Sequence, residues 1–147
     1  MLLAHPGGPF WSRRDHGWWS VPKGEIGPGE EPLDAAEREF SEELGVPPPA
    51  GVRSFLGEVV QAGGKHVLAY AVEGDLDPAA VVPGTVDIEW PPRSGRTLSI
   101  PEVDRVEWFS LVEARDRLLG GQLPFLDRLE QLLGMAAGGA AGRPPAR

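Results

Sequence analysis

The chain has 147 residues, of which 41% are hydrophobic, and a formal net charge of −8. This length and apolar content suit one compact domain with its own core rather than two domains. The negative charge disfavours a generic binder of nucleic acid or of anionic membranes, because the field of the protein repels polyanions.

The absence of cysteine, of a membrane span and of a secretory signal excludes several classes of protein. The chain contains no cysteine, so disulfides and thiolate chemistry are excluded and a reducing cytoplasm is the expected compartment. No apolar run approaches the roughly 18 residues of a membrane span, and the amino end lacks the charged and apolar regions of a secretory signal. We therefore expect a soluble cytoplasmic protein with no membrane partner and no stable nucleic-acid complex.

The amino-terminal stretch predicts a short strand and then a segment rich in aromatic and basic side chains. Met1 to Ala4 suits the tail of a strand, and His5 to Pro9 suits a turn. Residues 10–21 combine three tryptophans with two arginines, among them Arg14. These side chains can contact a ring and a phosphate, or the indoles can pack on the sheet while the arginines are solvated. Trp18 to Lys23 then predicts a strand that ends in a turn.

A loop and a helix follow. Residues 24–30 contain three glycines and Pro28, which permit the sharp bends of a compact loop. Pro32 suits the first position of a helix, Glu31 its N-cap, and Gly45 its end. The helix has one apolar face, expected to be buried, formed by Leu33, Ala36, Phe40 and Leu44.

Three glutamates lie together on this helix. Glu39 stands one helical turn before Glu42 and Glu43, so the three carboxylates project from one side within reach of one another. Their repulsion costs only about a few tenths of a kcal/mol on an open surface, so a solvated acidic face is one interpretation. A site for a hard divalent cation that takes oxygen ligands, such as Mg²⁺, is the other.

The spacing of the whole stretch is more specific than the three glutamates alone. Gly24, Glu30 and the run Arg-Glu-Phe-Ser-Glu-Glu-Leu-Gly-Val from Arg38 to Val46 resemble the signature of the Nudix hydrolase family, although Phe40 occupies a usually aliphatic position. The resemblance implies an α+β Nudix fold, an α/β/α sandwich around a mixed, largely antiparallel sheet. Relatives usually open with one more strand, so we expect the first strand to be shortened or missing. An open edge there would let a second copy pair as a homodimer.

The segments after the helix predict strands and an arginine-bearing loop. Val52 to Val60 and His66 to Val72 suit an antiparallel pair on the core sheet, and Thr85 to Trp90 suits a half-exposed strand. The loop that follows carries Arg93 and Arg96. Two guanidinium groups there can clamp a polyphosphate in a forked geometry, or they can be simple surface residues.

The last third of the chain predicts a strand, two helices and a tail. Residues 97–110 resemble the Nudix segment in which a strand follows an acidic loop. Leu111 to Leu119 and Leu123 to Leu133 have helical apolar spacing, and we expect them to cover the sheet opposite the first helix. Residues 134–147 are a low-complexity run of small residues. The sequence therefore predicts one domain over residues 1–133 and a disordered tail.

The resemblance implies an activity as well as a fold. It implies hydrolysis of a phosphoanhydride bond in a nucleoside diphosphate linked to another moiety, with Mg²⁺ as cofactor and Mn²⁺ as a substitute. The substrate is then a small nucleoside polyphosphate. Pro22-Lys23-Gly24 is similar to relatives that act on diadenosine polyphosphates, which favours a dinucleoside polyphosphate or a nucleoside triphosphate. The alternative is a Nudix-fold module that senses a nucleotide or regulates without turnover. Such modules tend to lose signature carboxylates, and this chain keeps them.

The resemblance also assigns roles within the site. The metal ligands that it implies are Glu39, Glu42, Glu43 and the backbone carbonyl of Lys23. An ion pair between Arg38 and Glu30 is expected to tie the loop to the helix, so that the ligands point correctly, and Gly24 begins that loop.

The catalytic residues that the resemblance implies are Glu42, Arg38 and Glu102. Glu102 lies in the later acidic loop, where many relatives place a further carboxylate, and Asp104 is the second choice there. The general base is a signature glutamate, with Glu42 preferred, or a carboxylate of that loop. Because clustered carboxylates hold protons until a cation enters, we expect raised pKa values and an activity that falls in acid. The expected substrate-binding residues are Lys23, Arg14, Arg93 and Arg96.

Overall fold

The computed structural model describes residues 1–141, with side chains described up to Met135. The helices and strands, in chain order, are β1 (Leu2–Pro6), α1 (Pro32–Leu44), β2 (Ser54–Val60), β3 (His66–Ala71), β4 (Thr85–Glu89), β5 (Thr97–Pro101), β6 (Val103–Trp108), α2 (Leu111–Arg117) and α3 (Leu123–Ala141). Short 3₁₀ turns lie at Pro78–Ala80 and Gly120–Gln122. The protein therefore has the mixed α+β class that its sequence predicts.

The strands of residues 1–141 form three separate two-stranded sheets, and each pair is antiparallel: β1 with β6, β2 with β3, and β4 with β5. The predicted pairing of β2 with β3 is confirmed. The predicted strand from Trp18 to Lys23 is wrong, because only isolated bridges join Ser20 to Ala4 and Trp19 to Leu118. The sandwich around one continuous sheet stays a prediction.

The first strand is better paired than the sequence suggests. β1 extends to Pro6 and pairs with β6 along its length. On its other side, the N–H and carbonyl groups of Ala4 bond to Ser20 at 2.8 and 2.9 Å. β1 is therefore paired with β6 on one edge and bonded through Ala4 to Ser20 on the other, so this point of the strand offers no free edge to a second chain. The predicted homodimer stays a prediction.

Helices pack on both faces of the β1–β6 sheet. Leu3 lies in a buried cluster with Leu118 and Leu126, which belong to the α2 and α3 region. The next residue, Ala4, lies in a second cluster with Leu44 of α1. Because successive strand residues point to opposite faces, these two clusters lie on opposite faces of β1, one with Leu44 of α1 and the other with Leu118 and Leu126.

The apolar face of α1 is buried less completely than predicted. Leu44 and Ala35 are fully buried. Leu33, Ala36 and Phe40 are only half-buried, and they line a cavity of about 550 Å³ that extends to β3. The prediction of a buried face is therefore confirmed for Leu44 and only partly met at Leu33, Ala36 and Phe40, which face this cavity.

The carboxy-terminal helix extends past the predicted domain boundary. α3 runs from Leu123 to Ala141, beyond residue 133, at which the predicted domain ends. Residues 142–147 of the predicted tail lie outside the described residues, so the boundary stays a prediction. No helix within residues 1–141 combines the length and the apolar character needed to cross a bilayer.

Candidate active site

The acidic helix α1 begins and ends where local sequence signals place it. Glu31 is the N-cap, and Pro32 occupies the first turn, where the missing N–H of proline costs nothing. Gly45 closes the helix in the left-handed conformation at φ 67°, and its N–H donates to Ser41 O at 2.8 Å. A side chain at Gly45 would also meet Val82 O at 2.1 Å. Because both ends of α1 are fixed, Glu39, Glu42 and Glu43 occupy defined positions on the helix.

Arg38 links the loop before the helix to the acidic face. Its Nε and Nη2 donate to the two carboxylate oxygens of Glu30 at 2.8 and 2.9 Å, which is the predicted ion pair. Its Nη1 also donates to Glu39 and to Glu42, at 3.0 Å each. The sequence does not predict this second set of contacts, which offsets the repulsion between Glu39 and Glu42.

The same contacts shift the ionisation of the pair. Hydrogen bonds from Arg38, and then one from the Gly27 N–H, lower the pKa of Glu30 to about 2. Hydrogen bonds to Glu30, Glu39 and Glu42 raise the pKa of Arg38 above its ordinary value. Both groups therefore stay charged across the physiological range, and the loop stays attached to the helix.

Glu43 is half-buried, as Glu39 is, whereas Glu42 is exposed. The Lys23 N–H donates to Glu43 Oε2 at 2.9 Å, so the loop before the signature touches the helix here. Burial, followed by the negative charges of Glu102 and Glu39, raises the pKa of Glu43 from 4.5 to about 7, against the opposing effect of Lys23. For this one glutamate the structure agrees with the predicted upward shift.

Glu102 reaches the same place from the connection between β5 and β6. Its N–H donates to Gly84 O at 2.8 Å, and its carbonyl accepts from the Gly7 N–H at 3.2 Å. A Cβ atom at Gly84 would lie 3.0 Å from the Glu42 carbonyl and 3.5 Å from Glu102 Oε2. The fold thus packs Glu102 against the end of α1, far from it in sequence.

Gly24 lies directly against the carboxylate of Glu39. A Cβ atom on Gly24 would approach Glu39 Cδ to 1.9 Å and Oε2 to 2.0 Å. The backbone of Gly24 is not in the left-handed region, so the need for glycine here comes from contact alone. Any larger residue would push the Glu39 carboxylate out of its position.

The segment before α1, the carboxy-terminal end of α1 and the connection between β5 and β6 line a cleft of about 270 Å³. Lys23, Glu43 and Glu102 line one part of it, and Trp11 and Trp18 line another. The cleft therefore combines a cation, two carboxylates and two aromatic rings, which suits a ligand that has both phosphate and ring groups.

Comparison with known families agrees with this geometry. A family model described as NUDIX domain matches residues 1–129. The chain belongs to the Nudix family. Among curated proteins, none matches this sequence. Membership makes the protein, in general terms, a hydrolase that acts on phosphoanhydride bonds, in a family that typically uses a divalent metal ion.

The Nudix carboxylates suit a divalent cation by chemistry, although they are not gathered into a finished site. Among the side chains described, no group of three or more acidic or histidine residues stands at metal-binding distance. Glu39 and Glu42 contact Arg38, while Glu43 and Glu102 face the cleft. Carboxylate oxygens are the donors that Mg²⁺ prefers. Binding a cation here requires the glutamate side chains to rotate toward one another.

The remaining predicted site residues of this Nudix protein lie at different distances from the cleft. The guanidinium of Arg14 lies 5.2 Å from the ring centroid of Trp18, beside the cleft wall. Arg93 and Arg96 are exposed beyond the β4 end, and neither lines the cleft. Asp104, the second choice in the acidic loop, bonds instead to the buried His5 Nδ1 at 2.8 Å.

Trp11 and Trp18 line the cleft but are not among the site residues that the sequence predicts. Their only sequence signal was the mixture of tryptophan and arginine in residues 10–21. Trp19, in the same run, is fully buried in the core. Composition could not separate these indoles, because the contacts that decide their positions come from distant parts of the chain.

Proposed function

We propose that this protein is a Mg²⁺-dependent hydrolase that cleaves a phosphoanhydride bond in a nucleoside diphosphate linked to another moiety. Dinucleoside polyphosphates and nucleoside triphosphates are the favoured substrates, and Mn²⁺ is a substitute cofactor. The observation that carries this proposal is the convergence of Glu43, Glu102 and Lys23 in one cleft at the end of the Nudix helix.

The metal would be held by Glu39, Glu42 and Glu43, with the Lys23 carbonyl and Glu102 completing its surroundings. The chemistry that Mg²⁺ supplies when bound is neutralisation of the diphosphate oxygens and a lower pKa for water. Arg38 and Glu30 contribute by position: their forked pair holds the loop against the helix, so that the ligands share one orientation.

The hydrolytic step follows from the groups in the cleft. A water oxygen forms a bond to phosphorus while the bond from phosphorus to the bridging oxygen breaks, and the water proton passes to a glutamate. The phosphate leaving group departs with the bridging oxygen. Lys23 places one positive charge beside the diphosphate, which lowers the repulsion that a polyanion meets on a protein of net charge −8.

Glu42 and Glu43 are both candidates for the general base, and their environments differ. Glu42 is the choice by resemblance, but it is exposed and bonded to Arg38. Glu43 lines the cleft, and burial raises its pKa to about 7, close to the value at which a base works best near neutral pH. A cation bound beside Glu43 would reverse that rise in pKa. We therefore keep Glu42 as the proposed base, as the resemblance implies, and assign Glu43 as a metal ligand for which protons and the cation compete.

A nucleotide panel with the purified protein tests the proposal. We expect phosphate-containing fragments to appear from at least one nucleoside diphosphate derivative when Mg²⁺ is added, and chelation to stop their release. Identifying both fragments gives the substrate and the cleaved bond together. Nucleotide binding without any product would overturn the hydrolase and support the sensing module.

Paired substitutions test the roles of the glutamates. Glu42→Gln and Glu43→Gln are each expected to lower kcat by orders of magnitude, on the order of 10²–10⁴ for loss of a base. Extra Mg²⁺ should partly rescue the variant that has lost only a ligand. Rescue of Glu42→Gln but not of Glu43→Gln would reverse the two assignments. Glu31→Gln, at the exposed N-cap of the same helix and without a side-chain cap bond, is the matched control.

A further inference from the structure

One wall of the cleft is aromatic and has no role in the chemistry described so far. Trp11 and Trp18 both line the cleft, with ring centroids 5.0 Å apart and planes inclined at 38°. Both indoles are half-buried, whereas Trp19 is 1% exposed and packs in the core. The molecule therefore keeps two large rings in contact with solvent, in the cleft that Glu43 and Glu102 also line.

The segment that carries these rings is held in place by long-range contacts. His5 Nε2 bonds to the Arg14 carbonyl at 2.5 Å, and the Gly17 N–H donates to Asp116 O at 3.1 Å. Asp15 accepts from Trp19 Nε1 at 2.8 Å and forms an ion pair with Arg117. The wall is thus arranged before a ligand arrives, and a ligand that uses it loses little free energy in ordering it.

The charges around the wall decide what kind of ligand it suits. Lys23 lines the same cleft, and the Arg14 guanidinium lies 5.2 Å from the Trp18 ring centroid. An uncharged apolar ligand would leave both cations unused, and a bare polyphosphate would leave both indoles unused. A flat ring joined to a phosphate chain uses all four groups at once. The cleft has a volume of about 270 Å³, whereas pockets that enclose a whole drug-sized ligand typically measure about 300–1,000 Å³. The cleft therefore suits part of such a ligand rather than all of it.

We propose that Trp11 and Trp18 bind the nucleobase of the substrate by stacking, while its diphosphate lies toward Glu43 and Glu102. This inference rests on the proposed function and names the residues that give that site its preference for ring-bearing diphosphates. Aromatic stacking accepts any base, because every base has a π face. The wall therefore selects nucleotides over diphosphates without a ring, and discriminates weakly among bases.

A pair of non-hydrolysable ligands tests the wall apart from catalysis. Adenosine 5′-(α,β-methylene)diphosphate and methylenediphosphonate share the diphosphate group, and only the first carries a nucleoside. Calorimetry with Mg²⁺ gives a dissociation constant for each ligand. We expect the wild-type protein to favour the nucleotide by about tenfold or more, within the range measured for base stacking on an aromatic side chain.

Substitutions then assign that preference to particular rings. Trp11→Leu and Trp18→Leu should each reduce the preference severalfold, with little change in the affinity for methylenediphosphonate. Trp18→Phe keeps a ring and should retain most of the preference, which guards against loss of folding. Trp108→Leu is the control, because Trp108 is 45% exposed but does not line this cleft.

The outcomes separate this inference from the proposed function. Equal wild-type affinity for the two ligands, or an unchanged preference in both leucine variants, would overturn the stacking wall even if the protein hydrolyses nucleotides. A preference that depends on the tryptophans, in a protein that hydrolyses nothing, would support the wall and overturn the hydrolase.

Discussion

Replacing Glu43 by glutamine should make the folded protein more stable at alkaline pH while removing its activity. Glutamine has nearly the shape of glutamate, and its side-chain oxygen can still accept the Lys23 N–H that Oε2 accepts at 2.9 Å. The substitution therefore removes a charge and little else. The charge is costly in the fold because burial, with Glu102 and Glu39 nearby, disfavours the ionised form.

The size of the effect follows from the pKa of Glu43. A rise from 4.5 to about 7, at about 1.36 kcal/mol per unit, corresponds to about 3 kcal/mol. Partial exposure of the side chain to solvent reduces the expected value to about 2 kcal/mol. Between these two pKa values the folded state holds more protons than the unfolded state, so the contribution of Glu43 to stability falls as pH rises through this window and is lost above about pH 7.

Urea unfolding of the wild type and of Glu43→Gln at several pH values measures this difference. We expect nearly equal free energies of unfolding at about pH 5 and a difference of about 2 kcal/mol in favour of the variant at about pH 8. Glu31→Gln removes an exposed charge from the same helix and should show no such trend. A variant that is less stable than the wild type at alkaline pH would refute the claim that Glu43 is a buried, destabilising carboxylate. Added Mg²⁺ should stabilise the wild type more than the variant, because ligand binding to the folded state raises its stability.

Three further outcomes are expected from the same site. Arg38→Lys cannot form the forked pair, so kcat/KM should fall by about 10–100-fold in steady-state assays. Arg115→Lys, which alters the exposed pairs of Arg115 with Asp127 and Glu130, is the control and should leave kcat/KM unchanged; equal losses in the two variants would contradict the positioning role. Gly24→Ala displaces the Glu39 carboxylate, so we expect weaker Mg²⁺ binding by calorimetry with little change in thermal stability, and unaltered Mg²⁺ affinity would argue against that contact. Because the pKa of Glu43 is raised to about 7, protons and the cation compete for this carboxylate. At limiting Mg²⁺ the activity should therefore fall in acid, and excess Mg²⁺ should move the midpoint of the pH–activity curve to lower pH. A midpoint that does not depend on the Mg²⁺ concentration would show that Glu43 is not a metal ligand.

The parts of this protein that the sequence predicted well depend on short-range physics. The ends of α1 follow from Pro32 and Gly45, because a missing N–H and a left-handed conformation act on their own neighbours. The pair between Arg38 and Glu30 was predicted by resemblance, and it joins a loop to the helix that directly follows it. The β2–β3 pair is likewise local, with a short glycine turn between two apolar runs.

Other features were decided only when distant segments met. Glu102 lies far from α1 in the sequence. In the fold it lies near the end of α1, because Gly84 contacts both Glu102 and the Glu42 carbonyl. Burial of Glu43 depends on Lys23 and on that same meeting, so its raised pKa could be expected for the cluster but not assigned to one glutamate. Trp18 and Trp19 are neighbours of one residue type, yet the first lines the cleft and the second fills the core. A side chain's environment depends on which remote surfaces its backbone meets, and neither residue type nor spacing carries that information.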